Sequence, residues 1–100
     1  MKKIKPHGLF VFNHFMDILE ELLNKGIQQG YIRPDIDVKV IARMRVMQVE
    51  TGFDTSIFPT SEFNIWKVQR ELLEHFNYGI CTLKGHKLLN QYKNVHEEAN

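Results

Sequence analysis

The chain has 100 residues, of which 43% are hydrophobic and 25% are charged, and its formal net charge at pH 7 is +1. This length fits one domain, and the near-neutral balance argues against a surface that grips nucleic-acid phosphates. The one cysteine, Cys81, excludes an intrachain disulfide framework and a Cys-rich zinc site.

Residues 1–8 are expected to form an N-terminal tail. The apolar run at residues 9–12 is too short for the core of a secretory signal. No window approaches the ~18 apolar residues that a membrane span needs. The expectation is therefore a cytoplasmic protein without a membrane segment.

The first predicted helix covers residues 9–27, because apolar residues recur there at steps of three and four. Phe10, Val11 and Ile18 widen its apolar face, so this helix needs neighbours on several sides. Gly30 is expected to take the left-handed conformation that ends helices.

The second predicted helix covers residues 38–51. Pro34 fixes the turn before it, and Asp35 or Asp37 is expected to accept hydrogen bonds from its free N–H groups. Its apolar residues form two rows, Val38/Ala42/Val46/Val49 and Val40/Met44/Met47.

A loop is predicted at residues 52–60, followed by Ser61 as N-cap of a third helix over residues 62–83. Gly79 inside this helix indicates a point of close approach between helices. Gly85 is then expected to interrupt the helical pattern before a short terminal helix or turn at residues 86–92. We expect a helical domain at residues 9–92 and a disordered, solvated tail at residues 93–100.

All three long helices offer more apolar surface than one shared core requires. One interpretation is an ordinary core with one generous interface. Another is a dimer interface on one face and a cavity for an apolar ligand on another. The third helix has a row with near-heptad spacing, formed by Phe63, Trp66, Leu73, Phe76, Ile80 and Leu83. This row and the Met-bearing row on the second helix suit a four-helix interface made by two copies.

Catalysis and metal binding have little support in the sequence. His14 and Asp17 lie three residues apart and Glu71 and His75 lie four apart, but neither pair repeats the Glu-x-x-His spacing of helical di-iron sites. Solvated polar faces explain both pairs, and no phosphate loop or nucleophile motif is present. We predict no enzyme activity, metal or cofactor; a helical metalloenzyme that uses these four residues is the weakest alternative.

Residues 25–37, KGIQQGYIRPDID, resemble a junction typical of TetR-family transcriptional regulators, in which a long helix ends in G-x-x-x-G-x-I/L-R-x-D-x-D. Residues 72–92, LLEHFNYGICTLKGHKLLNQY, resemble the end of the same regulatory domain. The resemblance covers residues 9–92, and the family's N-terminal helix-turn-helix lies outside it. It implies that the chain is the C-terminal half of a regulator, with DNA binding only through that other domain.

The resemblance implies an all-α effector-sensing and dimerisation bundle of three long antiparallel-packed helices and a short C-terminal helix. In the family the last two long helices pair with their copies, which makes the second and third helices the dimer helices. The dimer candidates are Val40, Met44, Met47, Phe63, Trp66, Leu73, Phe76 and Ile80.

The long helix before them is one wall of the ligand pocket in the family. The candidates for contact with a small apolar effector are Phe12, Phe15, Met16 and Leu19, although a plain core explains this patch equally well. The alternative function is a small helical protein–protein interaction module unrelated to transcription.

Overall fold

The computed structural model describes the backbone of residues 6–99 and the side chains of residues 11–95. The described chain is all-α, as predicted from the sequence. Its helices are α1 (Pro6–Gln28), α2 (Val38–Gly52), α3 (Ile65–Ile80) and α4 (Leu83–Ala99).

Helix α1 ends at a left-handed glycine. Gly30 has φ of 81°, a conformation that favours glycine over residues with a Cβ. The next two N–H groups, those of Tyr31 and Ile32, both donate to the carbonyl oxygen of Gly26, at 2.9 and 3.1 Å. The helix terminus predicted at Gly30 is confirmed, and these bonds turn the chain back toward α2.

Helix α2 begins at Asp37, one of the two predicted caps. Its carboxylate accepts the N–H groups of Lys39 and Val40 at 3.1 and 3.3 Å. The other candidate, Asp35, instead accepts two hydrogen bonds from the Arg33 guanidinium, at 3.0 and 2.8 Å. This pair lowers the pKa of the Asp35 carboxyl, chiefly through the hydrogen bond.

Helix α3 begins later than predicted. Residues 59–62 form a turn in which the N–H groups of Glu62 and Phe63 donate to the carbonyl oxygen of Pro59, at 3.0 and 2.9 Å. The cap is therefore Asn64 and not Ser61: its side-chain oxygen accepts the N–H groups of residues 66 and 67 at 2.9 and 3.2 Å. The helix also ends at Ile80, before the predicted residue 83.

Helix α4 is longer than the short terminal helix predicted from the sequence. It has 17 residues, and Gly85 lies within its first turn instead of ending a helix. The backbone stays helical through residues 93–99, which the sequence assigned to a tail. Lys93 ties that part of the helix to α3, because its ammonium donates a 2.7 Å hydrogen bond to the Glu74 carboxylate.

Helix α2 packs against both α1 and α3. The core at this three-helix contact includes Ala42 of α2, which has no exposed surface. A side chain as small as that of Ala lets neighbouring helices approach closely. The buried apolar residues among the described side chains are Met16, Leu23, Ala42, Val68, Phe76 and Ile80.

The α1–α2 connector and the α3–α4 connector are hydrogen-bonded to each other, and we call residues 29–33 and 79–85 together the junction. Ile32 and Cys81 form an isolated antiparallel bridge. On either side of it, the N–H of Arg33 donates to the carbonyl oxygen of Ile80 at 2.9 Å, and that of Thr82 to Tyr31 at 3.0 Å. The junction therefore fixes the end of α1 against the start of α4.

Glycine is required at Gly85, where the junction is closest. A Cβ there would clash with the carbonyl oxygen of Tyr31, a backbone atom that cannot swing aside. At Gly79, by contrast, a Cβ would meet nothing within 4 Å. The close approach predicted at Gly79 is therefore wrong, and it occurs six residues later along the chain.

The chain is flatter and more open than a compact monomer. Its extents are 39 × 35 × 21 Å and its radius of gyration is 15.6 Å, whereas a compact 100-residue domain has about 13 Å. It exposes 7992 Å², whereas a folded monomer of this mass exposes about 5,900 Å². The excess, on the order of 2,000 Å², is surface that the chain does not cover by itself.

Candidate interaction surface

Each helix carries exposed apolar side chains at helical spacing. Steps of three, four or seven residues keep such side chains on one side of a helix. We call these sets the α1 row (Val11, Phe15, Ile18, Leu22), the α2 row (Val40, Met44, Met47), the α3 pair (Trp66, Leu73) and the α4 row (Leu88, Tyr92, Val95).

The α2 row lies on the side of its helix that faces away from the core. At about 100° per residue, its three side chains are about 140° to 160° around the helix from Ala42. Ala42 is buried and belongs to the core between α1 and α3. Within the described residues, the α2 row therefore points away from the core between α1 and α3.

The side chains of the α4 row are also exposed, at 47% for Leu88, 66% for Tyr92 and 63% for Val95. Helix α4 contacts α3 through His86, Asn90 and Lys93: Asn90 accepts the Tyr78 hydroxyl proton at 2.5 Å, and the His86 ring lies 2.8 Å from the Tyr78 carbonyl oxygen. The α4 row is about 140° to 160° around the helix from Asn90. One side of α4 thus holds α3 by polar contacts, while the opposite side carries exposed apolar side chains.

The α3 pair flanks the core of the molecule. Leu73 and Trp66 lie about 60° and 80° around α3 from the buried Phe76. Trp66 is 73% exposed, an unusual position for a side chain with so much apolar surface to bury. Together with Phe63, just before the helix, the pair extends the core's apolar surface to the outside.

Two dimer candidates need correction, because Phe76 and Ile80 belong to the core of the single chain. Each is only 6% exposed. The guanidinium of Arg45 further covers the Phe76 ring, with its central carbon 5.7 Å from the ring centroid. These two side chains cannot also pack against a second copy. The other six candidates, Val40, Met44, Met47, Phe63, Trp66 and Leu73, are on the surface.

The predicted effector-contact residues divide in the same way. Met16 is 1% exposed and is a core residue, so it does not line an open pocket. Phe12 and Leu19 are half-buried and pack against that core. Phe15 is exposed as part of the α1 row. The plain-core interpretation of this patch therefore applies to three of its four residues.

A cavity that the sequence did not indicate lies where the α2–α3 loop meets α3. Its volume is about 410 Å³. The rings of Phe58 and Phe63 meet edge to face beside it, with centroids 5.3 Å apart. Two aromatic residues on either side of Pro59, near the end of the predicted loop, were the available signal. The cavity is lined by Phe58, Glu62, Phe63, Asn64, Lys67, Val68, Glu71 and Leu72.

Two polar side-chain atoms on α2 are buried without a hydrogen-bond partner: Nη1 of Arg45 and Oε1 of Gln48. Burial also lowers the pKa of the Arg45 guanidinium. A sealed guanidinium nitrogen without an acceptor is costly. The buried side of α2 therefore contains polar atoms that lack hydrogen bonds.

The two acid–histidine pairs are exposed and are not joined by further metal-ligating side chains in the described part of the chain. Glu71 and His75 lie 3.6 Å apart, and both side chains are largely in solvent. His14 and Asp17 are exposed on α1. Within the described residues, no three His, Cys, Asp or Glu side chains cluster as metal ligands would. At Cys81, burial raises the pKa of the thiol, which disfavours the reactive thiolate.

Comparisons of the chain with protein-family models, with curated proteins and with solved structures found no match. None of the helices in the described part of the chain combines the length and the apolar content needed to cross a lipid bilayer. The case for a function therefore rests on the exposed rows and on the cavity.

Proposed function

We propose that this chain is the dimerisation and effector-sensing part of a TetR-like transcriptional regulator. The observation that carries the proposal is the solvent-exposed apolar surface of the α4 row, on a chain with about 2,000 Å² of excess surface. The resemblance of residues 25–37 and 72–92 to that family supplies the biological context.

The size of the excess favours a permanent partner. Obligate homodimers bury about 2,000 to 5,000 Å² in total, hence about 1,000 to 2,500 Å² on each subunit. The excess on this chain falls inside that range. A weak, transient partner would need less than about 1,200 Å² in total, which would leave most of the surplus exposed.

The proposed interface is formed by α3 and α4. The family resemblance implies pairing through the last two long helices, which the sequence placed at residues 38–51 and 62–83. With 17 residues, α4 is itself a long helix, and this length supports α3 and α4 as the pairing helices in place of α2 and α3. The α3 pair and the α4 row would then face their counterparts in a four-helix contact. The effector site would be the cavity beside the α2–α3 loop.

The test is the mass of the chain in solution, measured by light scattering after size-exclusion chromatography. The unmodified chain should have twice its 11.8 kDa monomer mass. Leu88→Glu should shift it to the monomer, because a charge buried between copies is unpaired. Met47→Glu is the matched control: it also charges an exposed apolar residue, but on the α2 row.

Three results would contradict the proposal as stated. A dimer that survives Leu88→Glu but dissociates with Met47→Glu would return the interface to α2. A strict monomer that captures no second copy at high concentration would favour the alternative, an interaction module whose partner is another protein. A monomeric chain that exposes little apolar surface to a hydrophobic dye would contradict both readings.

A further inference from the structure

The cavity beside the α2–α3 loop is built by local interactions that hold its walls in place. The turn at residues 59–62 brings Phe58 and Phe63 together at 5.3 Å. The Asn64 cap then fixes the first turn of α3, from which Lys67 points to the cavity. At about 410 Å³, the space falls in the usual range for small-molecule sites, about 300 to 1,000 Å³.

The walls have two distinct chemistries. The apolar wall consists of the two aromatic rings and of Val68 and Leu72, of which Val68 is buried. The polar rim carries the carboxylates of Glu62 and Glu71 and one ammonium, that of Lys67. The Asn64 side-chain oxygen is already used by two backbone N–H groups. Among the lining side chains, the rim therefore has two negative charges against one positive charge, and the Glu71 carboxylate also lies 3.6 Å from the His75 ring.

We propose that this cavity binds a small amphiphilic cation, with an aromatic or branched apolar body and a protonated amine. The body packs against the phenyl rings and Leu72. The ammonium meets the carboxylates at the rim, and aromatic ring faces also attract cations. Lys67 does not block such a ligand, because its long side chain can keep its charge in water. This inference rests on the effector-sensing part of the proposed function and assigns it a ligand class.

The probe series has three molecules with one phenyl body and different charge: 2-phenylethylamine, 2-phenylethanol and phenylacetate. Each is titrated into the full chain at neutral pH and followed by ¹H–¹⁵N NMR. The amine should shift the amides of Phe63, Lys67 and Leu72 in a saturable manner, with Kd in the millimolar range, about −4 kcal/mol. The alcohol should bind about two- to fivefold more weakly, and phenylacetate more weakly than the alcohol.

Two charge-removing variants test the rim while keeping side-chain volume. Glu71→Gln and Glu62→Gln should each weaken amine binding by about two- to fivefold, the scale of one exposed ion pair. They should leave 2-phenylethanol binding unchanged. The control is Glu21→Gln, which removes a carboxylate from the exposed side of α1 and should change neither affinity.

The outcomes separate this inference from the dimer proposal when mass is measured in the same samples. Saturable amine binding by a monomer overturns the dimer and keeps the cavity assignment. A dimer with no saturation by about 10 mM amine, a range that excludes Kd values near 1 mM, overturns the cavity assignment alone. The cavity assignment is also overturned if phenylacetate binds as tightly as the amine. It is overturned as well if the shifts centre on Asp17 and Glu21, two exposed carboxylates of α1 outside the cavity.

Discussion

The hydroxyl of Thr82 donates a 2.6 Å hydrogen bond to the carbonyl oxygen of Gly30, a residue 52 positions earlier in the chain. The same hydroxyl oxygen accepts the N–H of Gly85 at 3.2 Å. One side chain thus satisfies the left-handed end of α1 and the first turn of α4. The nearby ion pair of Arg33 and Asp35 is exposed, and such pairs contribute little to stability.

Thr82→Val should lower the free energy of unfolding by about 1 to 3 kcal/mol, since it leaves a partly buried carbonyl and a partly buried N–H without their partner. Valine has nearly the same shape as threonine, so packing is preserved. Urea denaturation followed by circular dichroism measures the change. Thr82→Ser keeps the hydroxyl and should cost much less; equal losses for both variants would show that the methyl group, not the bond, matters.

Gly85→Ala and Gly79→Ala should have opposite effects on stability. At Gly85 the new methyl group meets the Tyr31 carbonyl, and overpacking of this kind costs about 1 to 3 kcal/mol. At Gly79 the methyl group has free space within α3, so the helix gains up to about 1 kcal/mol. Thermal unfolding of the two variants compares them directly. A destabilised Gly79→Ala would contradict the open position of this residue.

Asp37→Ala should destabilise the chain by about 0.5 to 2 kcal/mol, because two N–H groups at the start of α2 lose their acceptor. Asp37→Asn should retain most of the stability, since an amide oxygen also caps. Asp35→Ala is the comparison: it removes an exposed ion pair with Arg33 and no cap, so its effect should be smaller. Chemical denaturation of the three variants ranks them.

The contact between α3 and α4 should weaken in acid. The Lys93 hydrogen bond lowers the pKa of the Glu74 carboxyl, so the folded state binds this proton less readily than the unfolded state. The contribution of the Lys93–Glu74 pair to stability is complete above the ordinary glutamate pKa of about 4.3. It is lost as the pH falls through the lower pKa that Glu74 has in the folded state. Because the pair is exposed, the effect is small and should fade in high salt.

An NMR titration of the Glu74 side chain checks the sign of this linkage. Lys93→Gln should raise the pKa of Glu74 toward its ordinary value and reduce hydrogen-exchange protection in α4. Lys87→Gln, an exposed lysine elsewhere on α4, is the control and should leave the pKa of Glu74 where it is. The same pKa in both variants would mean that Lys93 does not hold α4 to α3.

Local chemistry made much of the helical frame predictable. Gly30 and Asp37 act with hydrogen bonds that span at most six positions. The sequence identified Gly30, and it gave Asp37 as one of two candidate caps. The prediction of Ser61 as the cap of α3 is wrong. The Pro59 turn and the contact between the Phe58 and Phe63 rings delay the start of the helix, so that the cap is Asn64, three residues later. Competition between neighbouring cap residues is decided by such contacts, which a linear pattern does not contain.

The candidate surface was less predictable, because a helix with two apolar rows does not reveal which row its own chain covers. Phe76 and Ile80 share the heptad-like spacing of Leu73, yet they belong to the core while Leu73 is exposed. The glycines pose the same difficulty. Gly79 and Gly85 look alike in sequence, and the distant Tyr31 carbonyl together with the Cys81 side chain distinguishes them. Long-range neighbours determine these roles.

The junction also has a consequence for the order of folding. Its bridge between Ile32 and Cys81 closes a loop that contains all of α2 and α3. Helices form in about 0.1 to 1 μs, whereas a contact between residues so distant must first overcome the entropy of loop closure. We therefore expect the four helices to appear early and the junction to form in the slower step. If Thr82→Val slows refolding, the two connectors have already met in the folding transition state. If it instead speeds unfolding, they meet after the transition state.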